Sequence, residues 1–169
     1  MKNLYIIFLI LPIFGYSQVE YLKEYYDNGI LKSEGNYENK NKSGVWKYYY
    51  SNGQLESEGH YKYNRRKGFW KFYYDSGQVK LRANYRYGKL RGYCQYYYEN
   101  GELESEGNFI DVEELSGLWK FYYKNGILKE EHVYKDGSVV SRKFFNQNEN
   151  EANLKDITKY FPLSRPAFW

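Results

Sequence analysis

The stretch that decides the fold is WKYYYSNGQLESEGHY, residues 46–61, because the chain repeats it. Near copies lie at 70–85, 94–109 and 119–134. The glycines at the centre of the copies recur at a spacing of 24 or 25 residues: Gly29, Gly53, Gly77, Gly101 and Gly126. A fixed period of this size indicates a repeat protein, in which each unit buries its apolar face only against its neighbours.

Each unit reads as a β-hairpin. Asn52-Gly53 predicts a two-residue type I′ loop, which needs positive φ at both residues. The predicted partners are Ser51–Gln54, Tyr50–Leu55, Tyr49–Glu56, Tyr48–Ser57, Lys47–Glu58 and Trp46–Gly59. The largest side chain thus faces the smallest, and a lysine faces a glutamate. The same register gives Trp70–Ala83, Cys94–Gly107, Leu22–Gly35, Lys23–Glu34 and Lys120–Glu131.

Successive side chains of a strand point to opposite faces of a sheet. The expected inner face carries Trp46, Tyr48, Tyr50, Leu55 and Tyr61, and the other carries Lys47, Tyr49, Glu56 and Glu58. The second face holds one tyrosine per unit, and we expect these rings to form an exposed or half-exposed row. We call them the tyrosine row: Tyr25, Tyr49, Tyr73, Tyr97 and Tyr122.

Variable segments connect the hairpins, and we predict turns that end at Gly44, Gly68, Gly92 and Gly117. Tyrosine and arginine are frequent anchors of protein interfaces. The candidate partner surface is therefore the tyrosine row together with arginines expected at the loop tips, Arg65, Arg66 and Arg91; solvated loops are the alternative for the arginines. In the last unit the pattern predicts Ser141 and Lys143 in place of the glycine and tryptophan, with His132 opposite Trp119.

Residues 1–17 resemble a secretory signal peptide, with Lys2 before a short apolar run and small residues before a cut at Gln18. An uncleaved membrane anchor is the alternative. We expect an exported protein of the periplasm or cell surface, with a repeat domain at 18–145. The tail, 146–169, is expected to fold back over the last strand, and a disordered tail is its alternative. The single cysteine, Cys94, excludes a disulfide framework.

Composition and motifs give no indication of an enzyme. Loss of Lys2 with the leader lowers the net charge only from +4 to +3, so nucleic acid is not an expected partner. The two histidines, His60 and His132, fall in different units, and we expect neither a cofactor nor a metal. We read the recurring carboxylates as ladder partners and the acidic loop as solvated: Glu34, Glu58 and Glu106, then Asp111, Glu113 and Glu114.

The unit YYxNGxLxxEGxYxxxxxxGxWKYY resembles the MORN repeat, in the variant common in bacterial YwqK-like antitoxin components. The resemblance covers residues 21–145, about five units, and departs from the more glycine-rich eukaryotic consensus. It implies an all-β fold of consecutive antiparallel hairpins in an elongated, twisted sheet. It also implies binding or scaffolding rather than chemistry, with an antitoxin or immunity role as a further implication.

The expected function is therefore protein–protein interaction or scaffolding by an exported, non-enzymatic repeat protein. The abundance of aromatic rings, 22% of all residues, leaves an alternative open. Rings that stack on sugars and basic loops that attract anions fit a module that binds envelope glycan or anionic lipid.

Overall fold

A computed structural model describes residues 19–111 and 114–146. Within these residues the chain forms one open antiparallel sheet without helices. Strand order follows chain order, except that β7 pairs only with β6 and β8 takes the next place in the sheet. The strands are β1 Val19–Tyr25, β2 Leu31–Glu38, β3 Asn41–Tyr49, β4 Leu55–Lys62, β5 Arg65–Tyr73, β6 Val79–Arg86, β7 Lys89–Leu90, β8 Gly92–Tyr97, β9 Leu103–Asp111, β10 Glu114–Tyr122, β11 Leu128–Lys135 and β12 Ser138–Phe144.

The all-β array of hairpins is confirmed, and so is the register away from the turns. Trp46 pairs with Gly59 and Lys47 with Glu58 in the β3–β4 ladder. The corresponding predicted pairs recur in the other hairpins, including Leu22–Gly35, Trp70–Ala83, Cys94–Gly107 and Lys120–Glu131. Pairing of the largest side chain with the smallest therefore fixed the register correctly.

The Asn-Gly turns differ from the predicted two-residue loop. The Tyr50 carbonyl accepts the Gly53 amide at 2.9 Å, and the Tyr50 amide donates to the Gln54 carbonyl at 2.8 Å. The loop is therefore three residues long, and within it only Gly53 has a positive φ, +86°. This is a type I turn followed by a left-handed glycine, a common three-residue hairpin loop.

The longer loop changes the pairs next to the turn. Tyr49 pairs with Leu55, and Glu56 bulges out of the ladder, so that Tyr48 meets Ser57 as predicted. A bulge of one residue on β4 thus cancels the extra loop residue. Three predicted pairs are wrong for this reason: Ser51–Gln54, Tyr50–Leu55 and Tyr49–Glu56.

The asparagine of the turn has a different role from the predicted one. Asn52 Oδ1 accepts the Gln54 amide at 2.9 Å, which closes the turn. Its Nδ2 donates to the Asp75 carbonyl of the next unit at 3.0 Å. Asn28 and Asn100 repeat both contacts. The asparagine is therefore a link between neighbouring turns.

The two-residue type I′ geometry occurs instead at the opposite edge of the sheet. Tyr63 and Asn64 have φ of 51° and 61° and connect the paired residues Lys62 and Arg65. The prediction that turns end at Gly44, Gly68, Gly92 and Gly117 is wrong, because these glycines lie in strands. Gly44, Gly68 and Gly117 lie inside strands and Gly92 opens β8, all at irregularities that follow the turns, with φ between 66° and 90°.

The last unit ends differently from the prediction. His132 does lie opposite Trp119, but its partner on β12 is Arg142, which takes the place of a tryptophan. Lys143 pairs with Glu131 and continues the lysine–glutamate ladder. The predicted tryptophan position, Lys143, is wrong by one residue. The bulge between β11 and β12 has one extra residue, whereas the bulge between β2 and β3 has two.

The core lies on one face, which we call the tryptophan face. Trp46, Trp70 and Trp119 are at most 1% exposed although the described residues form a single sheet. Each indole lies over a glycine of the preceding strand: Gly35, Gly59 and Gly107 respectively. A Cβ at Gly59 would stand 2.3 Å from Trp70 Cδ2, so the rings need bare backbone beneath them.

Each indole also compensates for a bulge. The indole nitrogens donate to main-chain carbonyls at 3.0–3.1 Å: Trp46 to Asn36, Trp70 to His60 and Trp119 to Asn108. These carbonyls lie where the ladder skips residues, as between Gly35 and Asn36. A buried carbonyl without a partner is costly, so the tryptophan and the bulge belong together.

Several predictions lie outside the described residues. They concern the signal peptide at 1–17, most of the tail at 146–169 and Glu113. The boundaries of the repeat domain also stay a prediction. In the described ranges there is no helix that is long and apolar enough to cross a membrane.

Candidate interaction surface

The second face carries the tyrosine row, and we call it the tyrosine face. Tyr49, Tyr73, Tyr97 and Tyr122 are half-buried, whereas Tyr25, on the outermost strand, is 58% exposed. Three hydroxyls donate to a glutamate of the adjacent strand: Tyr49 to Glu34 at 2.7 Å, Tyr73 to Glu58 at 2.8 Å and Tyr122 to Glu106 at 2.8 Å. Tyr97 donates to Gln95 at 3.0 Å. The rings are thus held in place before any partner arrives.

Charge and burial strengthen these contacts. Burial and the bond to the Glu58 carboxylate raise the pKa of Tyr73 to about 12. The bonds from Tyr49 and then Tyr21 lower the pKa of Glu34. Around neutral pH the tyrosines are therefore protonated donors and Glu34 is an ionised acceptor, which makes the bonds charge-assisted.

A second set of residues on this face forms what we call the apolar stripe. Each stands one residue before the tryptophan-face position of its strand, and each is 45–56% exposed: Tyr21, Val45, Phe69, Tyr93 and Leu118. Hydrogen bonds place two members beside the glutamates: Tyr21 donates to Glu34 at 2.8 Å, and Tyr93 donates to Glu106. With strands spaced about 4.8 Å apart, the stripe runs for about 40 Å across the sheet.

Sequence reasoning missed the apolar stripe. The signal was present in the variable position of Gly-x-Trp, which holds Val45, Phe69 and Leu118 in three units. Strand alternation places this position opposite the tryptophan, and therefore on the tyrosine face. The strands between carry the ladder partners Asn36, His60, Asn84 and Asn108, so the stripe alternates exposed apolar and polar side chains. Such a mixed row resembles the anchors and polar rim of a protein interface.

The arginines do not form one group. Arg66 lies on the tryptophan face, with its guanidinium 4.7 Å from the Trp70 ring centre and 5.4 Å from that of Tyr85. Its expected place at a loop tip beside the tyrosine row is wrong, because Arg66 is the second residue of β5 and packs as a cation over aromatic rings. Arg65 and Arg91 are exposed on the tyrosine face, at the start of β5 and between β7 and β8.

A further tyrosine ladder joins the units along the Asn-Gly edge. These hydroxyls donate to a carbonyl of the next unit at 2.7–2.8 Å: Tyr26 to Tyr49, Tyr50 to Tyr73, Tyr74 to Tyr97 and Tyr98 to Tyr122. The two tyrosines of each Tyr-Tyr pair therefore have different roles. One tyrosine of each pair links the units, and the other belongs to the tyrosine row.

The described residues contain no group of three or more His, Cys, Asp or Glu side chains placed to hold a metal ion. His60 is exposed on the tyrosine face, as the sequence predicted. His132 is buried and its Nε2 lies 2.8 Å from Glu130 Oε2, among aromatic rings. Glu34, Glu58 and Glu106 accept tyrosine bonds, and no two of them come together as a pair.

The sequence matches the MORN repeat variant family in five segments, residues 21–39, 42–63, 68–87, 90–111 and 115–136. No curated protein matches the sequence. The five segments cover most of the described sheet, and each contains one hairpin of it, the fourth with the last residue of β7 as well. The chain therefore belongs to the MORN repeat variant family, whose repeats mediate binding to proteins or membranes.

Proposed function

We propose that this protein is an exported, non-enzymatic scaffold that binds a protein partner along the apolar stripe and the tyrosine row. The observation that supports this most is the stripe itself, five exposed aromatic or aliphatic side chains that recur on every second strand of one face. Because the neighbouring tyrosines are already fixed by hydrogen bonds, a partner would lose little side-chain entropy on binding them.

The experiment is affinity capture from the envelope extract of the host at physiological salt, followed by identification of retained proteins. The stripe variant Val45→Ser, Phe69→Ser and Tyr93→Ser should lose a stoichiometric partner. A matched control, Ile127→Ser with Val140→Ser, removes exposed apolar area outside the stripe and should retain it. Equal retention by the stripe variant and the parent, both folded by circular dichroism, would contradict the proposal.

The tyrosine row is tested separately. Changing Tyr49, Tyr73 and Tyr97 to alanine should weaken capture, because the rings contribute contact area. The same positions changed to phenylalanine keep the rings and remove the bonds to Glu34, Glu58 and Gln95. If the alanine variant captures the partner as well as the parent does, the partner contacts the apolar stripe and not the tyrosine row.

Export and an antitoxin role are parts of the proposal that rest on the N-terminal sequence and on the resemblance to bacterial antitoxin components. N-terminal sequencing of the mature protein tests the cut before Gln18. An immunity role predicts that the captured protein harms cells that lack this chain, in the envelope rather than the cytosol. Normal growth of such cells while they produce the captured protein would contradict the antitoxin role.

Binding to an anionic lipid or glycan surface is the second candidate, and one observation favours it. Tyr63 and Tyr87, at neighbouring turn tips, are 69% and 70% exposed and stand beside Lys62 and Arg86. Aromatic and basic tips of this kind suit a membrane interface. Sedimentation with phosphatidylglycerol vesicles that falls with salt and with Tyr63→Ala and Tyr87→Ala would support it.

A further inference from the structure

The charge of this chain is segregated. Residues 60–92 contain ten lysines and arginines against one acidic residue, Asp75. The remaining 15 basic residues are outnumbered by 20 acidic ones. The modest net charge of +4 for the whole protein thus hides a strongly basic segment between two acidic ones.

The fold gathers most of these cations on the tyrosine face. Tyr85 and Leu90 pack on the tryptophan-face core, so strand alternation puts their ladder neighbours Arg86 and Lys89 on the opposite side. The same alternation applies to β4 and β5, where Lys62 pairs with Arg65. We call the group the basic patch: Lys62, Arg65, Lys67, Lys71, Arg82, Arg86, Lys89 and Arg91. Within it, Lys89 is already paired with Asp111 at 3.3 Å.

One pair inside the basic patch breaks the charge pattern of the repeat. The corresponding ladder pairs elsewhere join lysine to glutamate, as in Lys47–Glu58 and Lys120–Glu131. In the β5–β6 hairpin Lys71 instead faces Arg82. Like charges directly opposite each other destabilise a sheet. On their other sides Lys71 faces Glu58, whereas Arg82 faces the uncharged Gln95, so Arg82 has no carboxylate opposite it on either strand. The Arg82 guanidinium also lies 5.2 Å from the ring centre of Tyr97, a member of the tyrosine row.

The basic patch surrounds the central part of the apolar stripe. Phe69 follows Lys67 by two residues on β5, and Tyr93 follows Arg91 by two residues on β8. A shallow groove of about 360 Å³ opens beside Phe69, and its lining includes His60, Lys62 and Lys67 together with one acidic residue, Glu38. A concave, aromatic and basic surface accepts side chains that protrude from a partner.

We propose that the partner of this surface is a protein segment in which acidic and apolar side chains alternate, with the carboxylates on the basic patch and the apolar groups on Phe69 and Tyr93. This inference rests on the proposed function, because it names the chemistry of the partner bound at the stripe. An anionic membrane fits less well, since a flat surface does not enter the groove beside Phe69.

The test uses the purified protein and fluorescent peptides of about twelve residues, long enough to follow the stripe for about 40 Å. The peptides alternate Glu with Leu, Gln with Leu, or Glu with Ser. Anisotropy should show roughly tenfold tighter binding of the Glu-Leu peptide than of either other peptide, and this preference should fade in about 0.5 M salt. Equal binding of the Gln-Leu peptide, or no binding of the Glu-Leu peptide, would overturn the proposal.

The decisive variant is Arg82→Glu, which gives the β5–β6 hairpin the lysine–glutamate pair of its neighbours. This variant should have a higher midpoint of thermal unfolding than the parent and yet bind the Glu-Leu peptide roughly tenfold more weakly. Weaker binding could then not be attributed to a loss of folding. The matched control is Lys120→Gln, on the same face outside the basic patch, which should bind like the parent. Equal weakening by the control, or no weakening by Arg82→Glu, would contradict the assignment.

Two further outcomes separate the inference from the proposed function. If the protein binds phosphatidylglycerol vesicles more tightly than the peptide, and if that binding depends on Arg82 in the same way, the partner is a membrane rather than a protein. A partner captured through the stripe but indifferent to Arg82→Glu would overturn the acidic assignment and leave the scaffold intact.

Discussion

Two kinds of contact join the hairpins, and their difference shows how the repeat works. Three junctions place a tryptophan over a glycine, Trp46 over Gly35 being the first. The central junction places Cys94 next to Ala83, and both are buried. Where the large ring is lost, the bare backbone beneath it is no longer needed. The two positions therefore change together, and the packing of the face depends on their combined volume.

The ladder of the central junction differs as well. The strand that carries Cys94 is interrupted at Arg91, and β6 forms two ladder pairs with β7 and two with β8. The intact junction between β2 and β3 has six. The same junction replaces the usual lysine–glutamate pair with Arg82 and Gln95. The centre of the array is thus where the repeat departs most from its pattern, and it coincides with the basic patch.

The largest expected effect breaks an intact junction. Gly59→Ala places a Cβ 2.3 Å from Trp70 Cδ2 and should lower the free energy of unfolding by about 3 kcal/mol, because the ring has to leave its position. Ala83→Gly is the control and should lower it by only about 0.5–1 kcal/mol, through backbone entropy. Urea unfolding measures both. Similar values for the two variants would mean that the ring moves aside easily.

The next test rebuilds the central junction. Cys94→Trp should lower the free energy of unfolding by about 1–3 kcal/mol, because the new ring meets the Ala83 methyl. Adding Ala83→Gly should recover most of that loss, so the double-mutant cycle is far from additive. Purely additive effects in urea unfolding would show that volume does not couple the two positions.

The junction between β11 and β12 replaces glycine and tryptophan with His132 and Arg142, and it should be sensitive to acid. The bond to His132, followed by Lys129, lowers the pKa of Glu130 from 4.5 to about 2. The stabilisation is therefore complete above pH 4.5 and is lost as the pH falls towards 2. Glu130→Gln should remove this part of the pH dependence, as measured by thermal unfolding between pH 2 and 6. Identical profiles for parent and variant would contradict it.

The smallest effect concerns the links between turns. Asn52→Ala removes the bonds to Gln54 and to the Asp75 carbonyl and should lower the free energy of unfolding by about 1 kcal/mol. Ser76→Ala, at the same position of the next turn, should change it by less than about 0.5 kcal/mol. A larger effect at Ser76 than at Asn52 would show that the asparagine links are unimportant.

The candidate site was predictable only in part. The tyrosine row followed from the strict alternation of side chains, and Tyr49 and Tyr73 lie where it placed them. Arg66 was placed wrongly, because the two-residue turn at Tyr63 and Asn64 starts β5 one residue before it. The apolar stripe was missed because Val45, Phe69 and Leu118 share apolar character and exposure rather than residue identity.

The sequence alone determined the period, the hairpins, the register and the two faces, because each depends on contacts between residues of one unit. Only the tertiary structure decided how the units meet. Each tryptophan leans onto the glycine of the strand before it, Gly59 under Trp70, rather than towards its partner within the hairpin, Ala83. Trp70 has a ladder partner on each neighbouring strand, so distance alone does not decide which way its ring points. The ring points to the side where the bulge leaves the His60 carbonyl free to accept the indole N–H.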